Sequence, residues 1–297
     1  MHLAIIRPIL LTLALLCTSG YDAAAQGRTL RKHTATQAAV LPLVPATKML
    51  ARGKATIKFS GRYRAITSNG IPTHRVGAFP NPGNPHKIKP QSHEFSVAYI
   101  PRTAFRTKKL GRELLMGVAV NGIPFDPMAA EYYLGNRKGW QYNALGGAIP
   151  LGLDANYAHV QPSGAYHYHG LPVGLMQELG WQVAKPSPLI GYAADGFPIF
   201  AMTAKIDGQV KRMKSSYRLK SGDRPGGLKP SGPHDGSFIN DYEYVRGAGD
   251  LDACNGTEVT TPDYPRGVYA YFLTRDFPVV PRCLVGKVGK GFKKARR

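Results

Sequence analysis

Short apolar or alternating runs, punctuated by glycine and proline, set the pattern of this chain. Ser96-Val97-Ala98-Tyr99-Ile100, the runs from Leu114 to Val120 and from Leu189 to Ala193, Pro198-Ile199-Phe200-Ala201, and Val268 to Thr274 are all of strand length. β-Branched and aromatic residues recur in them, which suits a pleated, half-buried surface. An earlier pair, Thr56-Ile57-Lys58-Phe59 and Tyr63-Arg64-Ala65-Ile66, is joined through Gly61, and an alternating run starts at Phe238. Asn121-Gly122 and Asp195-Gly196 read as hairpin-type turns, and Ser68-Asn69-Gly70 as a further turn. Helix is scarce: Met128 to Tyr133 and Pro172 to Gly180 each allow a turn or two. The pattern predicts a mainly β protein, an antiparallel sandwich or barrel-like single domain with a few short helices and long Gly/Pro-rich loops.

One alternating run carries chemistry. In Tyr166-His167-Tyr168-His169-Gly170 the two histidines leave one face of a strand and the two tyrosines the other. Upstream, Pro162 suits the second position of a type I turn and Gly164 the left-handed residue after it, which gives a three-residue hairpin loop, Pro162-Ser163-Gly164. Counting outward pairs Val160 with Tyr166 and His159 with His167, so three imidazoles share one face. A loop one residue shorter or longer would turn His159 away. A His-x-His pair with a third histidine from the neighbouring strand is a ligand set for zinc or copper with an open position. The alternative is that these histidines are core or turn residues bonded to backbone. His33, His74, His86 and His93 read as ordinary surface or loop residues, and His234 as a further candidate.

Residues 1–25 combine Arg7, an apolar run from Ile9 to Cys17, and Ala23-Ala24-Ala25 before Gln26, the pattern of a secretory signal; an exported protein, periplasmic or extracellular, is expected. No later stretch could span a bilayer as a helix. Once the signal is removed, Cys254 and Cys283 are the two cysteines left, and in an oxidising compartment a disulfide is the natural outcome.

The formal net charge is +21. From Gln26 to His93 there are twelve Lys or Arg and no acid, and Lys287 to Arg297 adds six more cations. Residues 26–52 read as a basic, disordered segment, 53–285 as the β domain and 286–297 as a basic tail. Basic ends attract polyanions, here an acidic polysaccharide or a membrane surface. Nucleic acid is disfavoured, since neither a recognition helix nor an aromatic-basic fingerprint is present. Acids gather toward the end, and Asp195, Asp235, Asp241, Glu243, Asp250 and Asp252 are candidates to bind calcium, complete the histidine site or act as general acid or base. Asp241 and Glu243 would share one strand face. Their plainer roles are turn caps and partners for the cations.

The chain resembles the YHYH-domain proteins, exported bacterial and algal proteins named for the tetrapeptide found here at Tyr166 to His169. The likeness takes in Asn121-Gly122-Ile123-Pro124-Phe125, Leu153-Asp154-Ala155-Asn156 with His159, Asp195-Gly196-Phe197-Pro198-Ile199, Asp235-Gly236 with Asp241-Tyr242-Glu243-Tyr244, Gly249-Asp250-Leu251-Asp252 with Cys254-Asn255-Gly256, and Tyr269-Ala270-Tyr271-Phe272. It spans roughly 94–285 and leaves both basic ends outside; it implies domain boundaries and no particular reaction.

Three functions are consistent with these residues. The first is an exported metal-binding protein holding copper or zinc on His159, His167 and His169. The second is a metal-dependent hydrolase with an acid such as Asp195 or Glu243 as proton acceptor. The third is a non-catalytic surface module that stacks acidic polysaccharide or cell wall on Trp140, Tyr142 and Trp181.

Overall fold

The structure, a computed structural model, describes residues 33–294. The residues expected to form a signal, the first residues of the basic segment and the last three of the tail lie outside the described residues. In chain order the strands are β1 (Ala55–Ser60), β2 (Tyr63–Ser68), β3 (His93–Ala98), β4 (Thr103–Lys109), β5 (Gly117–Ala119), β6 (Pro124–Phe125), β7 (Ala158–Val160) and β8 (Tyr166–Tyr168). The helix α1 (Val173–Glu178) follows, then β9 (Gly191–Ala193), β10 (Pro198–Ala201), β11 (Thr203–Ile206), β12 (Gln209–Arg212), β13 (Tyr217–Leu219), β14 (Tyr242–Tyr244), β15 (Gly256–Thr261), β16 (Tyr264–Leu273) and β17 (Cys283–Gly286).

The protein is mostly β, as the apolar pattern predicts. Eight strands form one open mixed sheet in the order β15-β16-β10-β9-β5-β6-β8-β7, so no barrel closes. Two of its pairings, β10 with β16 and β6 with β8, are parallel, which departs from the expected all-antiparallel arrangement. A three-stranded sheet, β1-β2-β3, and three strand pairs complete the architecture. The expected turns form where glycine permits a positive φ: Gly122 at +79° closes the β5–β6 turn and Gly196 at +93° the β9–β10 turn.

The principal core packs Val118, Phe125, Tyr166, Tyr168, Ile199 and Tyr271, all essentially out of solvent, between the large sheet and its neighbours. A second cluster around Tyr142, Leu153 and Phe238 is covered in part by Leu41 and Leu43. The described part of the basic segment is 33–52. This segment runs extended along the domain, with Val44 N donating to Leu153 O and Ala155 N to Val44 O, each at 2.9 Å, while Lys48 and Val76 exchange two bonds. Its composition is basic, but its few apolar residues and its backbone have partners far along the chain.

Two further expectations fail for local reasons. Met128 to Tyr133 is not helical: Tyr132 bridges Gln141, Gln141 Nε2 donates to Ala129 O, and the chain turns through Leu134 and Gly135, both at positive φ. The run from Phe238 does not begin as a strand, because the Asp241 carboxylate accepts from the backbone N–H of Gly236 and Phe238 and winds Ile239–Asp241 into a 3-10 turn. Asp241 is consequently buried while Glu243, on β14, is exposed, and the two do not share a strand face.

Candidate metal centre

The β7–β8 hairpin forms in the register that the turn chemistry dictates: His159 pairs with His167, Val160 with Tyr166 and Ala158 with Tyr168. Gln161 N donates to Ala165 O at 2.9 Å, Gly164 N returns to Gln161 O at 2.8 Å, and Gly164 takes φ +90°. Three imidazoles consequently converge on one face. His167 Nε2 and His169 Nε2 lie 3.0 Å apart, and His169 Nε2 and His159 Nε2 3.1 Å apart. Separations of this size would let one ion lie about 2.0–2.1 Å from each nitrogen.

Backbone carbonyls fix how two of the rings present themselves. A carbonyl can only accept, so the Leu151 carbonyl at 2.9 Å places the proton of His159 on Nδ1, and the Ala165 carbonyl at 3.3 Å does the same for His167. Both Nε2 lone pairs then point inward, and the Gln161 amide donates to that of His167 at 3.3 Å. The third ring, His169, has no partner for its buried Nδ1. Burial, reinforced by the charge of His167, holds His159 down to about 3, and burial followed by His167 and His159 holds His169 well below the usual imidazole range. His159 and His169 are therefore held neutral, and the Nε2 atoms of all three rings are turned toward one space that a cation could occupy.

The tyrosines of the same strand are a structural layer behind this face. Tyr166 donates to Asp154 Oδ2 at 2.8 Å, and the other contacts of that buried carboxylate, to Gly77 N and Asn156 N, tie the hairpin to two loops. Asn121 donates to the Tyr168 hydroxyl, which in turn faces His74 Nε2 at 2.6 Å, while His74 Nδ1 donates to Arg75 O. His74 is thus a buried residue and not the surface histidine that its basic neighbourhood suggests.

A carboxylate absent from the sequence-based candidates shares the sheet face of the histidines. The parallel register of Phe125 with Tyr168 puts those rings together at 5.4 Å, and the next residues, Asp126 and His169, alternate to the opposite face. Asp126 is buried, its N–H donates to Tyr168 O, and its carboxylate pairs with Lys294 at 2.5 Å. Asp126 acts on His159, while the cations Lys294 and Arg282 act on His169.

Glu243 is exposed on β14, and the other candidate residues have partners of their own elsewhere. Arg224, fully buried, holds Asp241 through two bonds at 2.8 Å and also pairs with Asp235. Asp250 pairs with Lys211 at 2.5 Å, and Asp252 accepts from Tyr269 and the turn N–H groups of Cys254 and Gly256. Asp195 is buried in the β9–β10 turn, accepting from Tyr271 at 2.7 Å and Gly286 N at 2.8 Å; burial raises its carboxyl despite these bonds. His234 Nδ1 donates to Gly222 O and the ring stacks on Trp140. Among the described residues the group of three or more ligand-type side chains close enough to share an ion is His159, His167 and His169. Trp140, Tyr142 and Trp181 do not form a stacking face: Tyr142 is buried, Trp140 packs on Phe238, and Trp181 Nε1 donates to Ala201 O.

Cys254 and Cys283 are bonded, with Cα atoms 5.1 Å apart. No described helix is long and apolar enough to cross a membrane. In comparison with known proteins, the family model described as YHYH protein matches residues 94–286. No curated protein and no solved structure matches the chain.

Proposed function

Because the chain belongs to the YHYH protein family, on a match that takes in the whole histidine hairpin, we propose that His159, His167 and His169 bind one copper or zinc ion in an exported protein. The observation that carries this reading is the convergence of the three Nε2 atoms, two of them turned inward by backbone carbonyls. A disulfide between the two cysteines outside the signal-like segment agrees with export. Elemental analysis of the purified chain is the test. One copper or zinc per chain is expected, kept by His234→Ala and lost by His167→Ala and His169→Ala with the circular dichroism spectrum unchanged. Full occupancy in the last two variants, or no uptake after loading with either metal, would overturn the assignment.

Metal-dependent hydrolysis is the second reading, favoured by the position of Asp126. When bound, zinc would supply Lewis acidity and a lowered pKa for water. Asp126 is the carboxylate on the histidine face suited to accept a proton, with Lys294 holding it in place. Loss of turnover in Asp126→Asn at unchanged metal content would support hydrolysis, and unchanged turnover would remove Asp126 from it. Acidic polysaccharide and membrane surface remain the partners proposed for the basic ends.

A further inference from the structure

At one end of the β1-β2-β3 sheet two loops meet. The chain turns through Gly61 between β1 and β2, and Tyr99 and Ile100 lead out of β3; Tyr99 N donates to Arg62 O at 3.0 Å and joins the loops. Four large side chains stand exposed around this tip: Phe59 at 65%, Tyr63 at 56%, Tyr99 at 46% and Ile100 at 74%. The Phe59 and Tyr99 rings touch edge to face at 4.7 Å, and the buried guanidinium of Arg64 lies 4.9 Å from the Tyr99 ring and 3.9 Å from that of Tyr192. Tyr63 lies on the other sheet face from Phe59 and Arg64, and isolated exposed apolar residues are ordinary, but the touching rings of Phe59 and Tyr99 next to exposed Ile100, backed by a buried cation, mark an interaction surface.

The charge around the tip identifies the partner's chemistry. Residues 54–109 carry eleven Lys or Arg against a single acid, Glu94. Lys58, Arg62 and Arg102 flank the apolar group, and all three are exposed. We propose that this tip docks on an anionic phospholipid surface, with Phe59, Tyr99 and Ile100 at the acyl boundary and Lys58, Arg62 and Arg102 among the headgroups. An acidic polysaccharide fits less well, because sugar stacking needs flat ring faces. Here Ile100 has no such face and the two rings meet edge to face. Docking of this kind is peripheral and independent of the histidine centre, so the two proposals stand or fall separately.

Flotation of the full purified chain with vesicles tests the idea. Vesicles rich in phosphatidylglycerol should carry the protein, neutral phosphatidylcholine vesicles should not, and high salt should weaken the binding to its apolar part. The triple change Lys58→Glu, Arg62→Glu and Arg102→Glu should weaken binding by about a hundredfold or more. Phe59→Ser with Ile100→Ser should abolish the binding that survives at high salt. Ile100→Trp, which keeps the apolar character, should gain blue-shifted emission on vesicle addition; emission that stays at the solvent position counts against insertion. Vesicle binding indifferent to the substitutions, or retention on acidic polysaccharide with no vesicle binding, would overturn the proposal.

Discussion

The decisive atoms are three Nε2 nitrogens, that of His169 within hydrogen-bonding distance of the other two. Nothing about an imidazole favours that arrangement by itself; the Leu151 and Ala165 carbonyls enforce it by taking the protons on the far side of two rings. A pH dependence follows. In the unfolded chain each histidine protonates near about 6.5. In the fold His159 resists protonation down to about 3, because burial and then His167 disfavour its charge. Below about 6.5 the unfolded state therefore binds the extra proton, and stability falls as pH is lowered toward 3, by about 1.4 kcal/mol per pH unit for such a histidine while its folded form stays neutral. Denaturant titrations of metal-free protein should show this slope, reduced in His159→Gln; a flat profile across the window would contradict the neutral cluster. Asp126 and Lys294 make a second prediction of opposite signs. Asp126→Asn removes a negative charge from the histidine face and should weaken metal binding by about tenfold, whereas Lys294→Met removes a repelling cation and should strengthen it. Calorimetric titration with zinc reads both, and changes of the same sign would separate the pair from the site.

At the scale of elements, the hairpin is the part that makes the centre, and its geometry rests on loop length. Pro162-Ser163-Gly164 sets His159 opposite His167; one alanine inserted between Val160 and Gln161, with that turn kept, should slide His159 to a place opposite Tyr168, turn it to the other face and abolish metal binding. Retained stoichiometric metal in that variant would show that the register is not what brings the rings together. This hairpin was legible in the sequence because all of its determinants lie within eleven residues of one another. Asp126 was not, since only the parallel β6–β8 pairing sets it on the histidine face and its partner Lys294 lies at the other end of the domain. The β11–β12 hairpin was missed although Asp207-Gly208 signals it plainly, with φ values of 49° and 82°. Met128 to Tyr133 failed in the other direction: its helical composition yields to the tertiary bonds of Gln141 and Trp140. The acids of 235–252 looked like one site on charge alone, and the positions of Arg224 and Lys211, which divide them, are tertiary information.

Across the whole molecule, small sheets are joined to the large one by few strands, and cross-links between them matter accordingly. Cys254 precedes β15, the edge of the eight-stranded sheet, and Cys283 opens β17, which pairs only with the exposed β4. Their bond therefore fastens the β4–β17 pair to the large sheet, in concert with Asp195, which accepts from Gly286 N, and Tyr271, whose hydroxyl accepts from Val285 N. The cross-link closes a sequence separation of 29 residues, for which loss of chain entropy in the unfolded state gives about 3.5 kcal/mol of stabilisation. The double variant Cys254→Ser with Cys283→Ser should lose about that much in denaturant unfolding. It should still bind metal with unchanged affinity, because the β7–β8 hairpin sits at the opposite edge of the sheet order. Hydrogen exchange should localise the loss to β17 and β4 before the rest of the domain opens. A variant as stable as the parent would remove the cross-link from the stability of the fold, and one that loses metal with it would mean that Arg282, next to Cys283 and bonded to Pro127 O, carries the change to the histidine face.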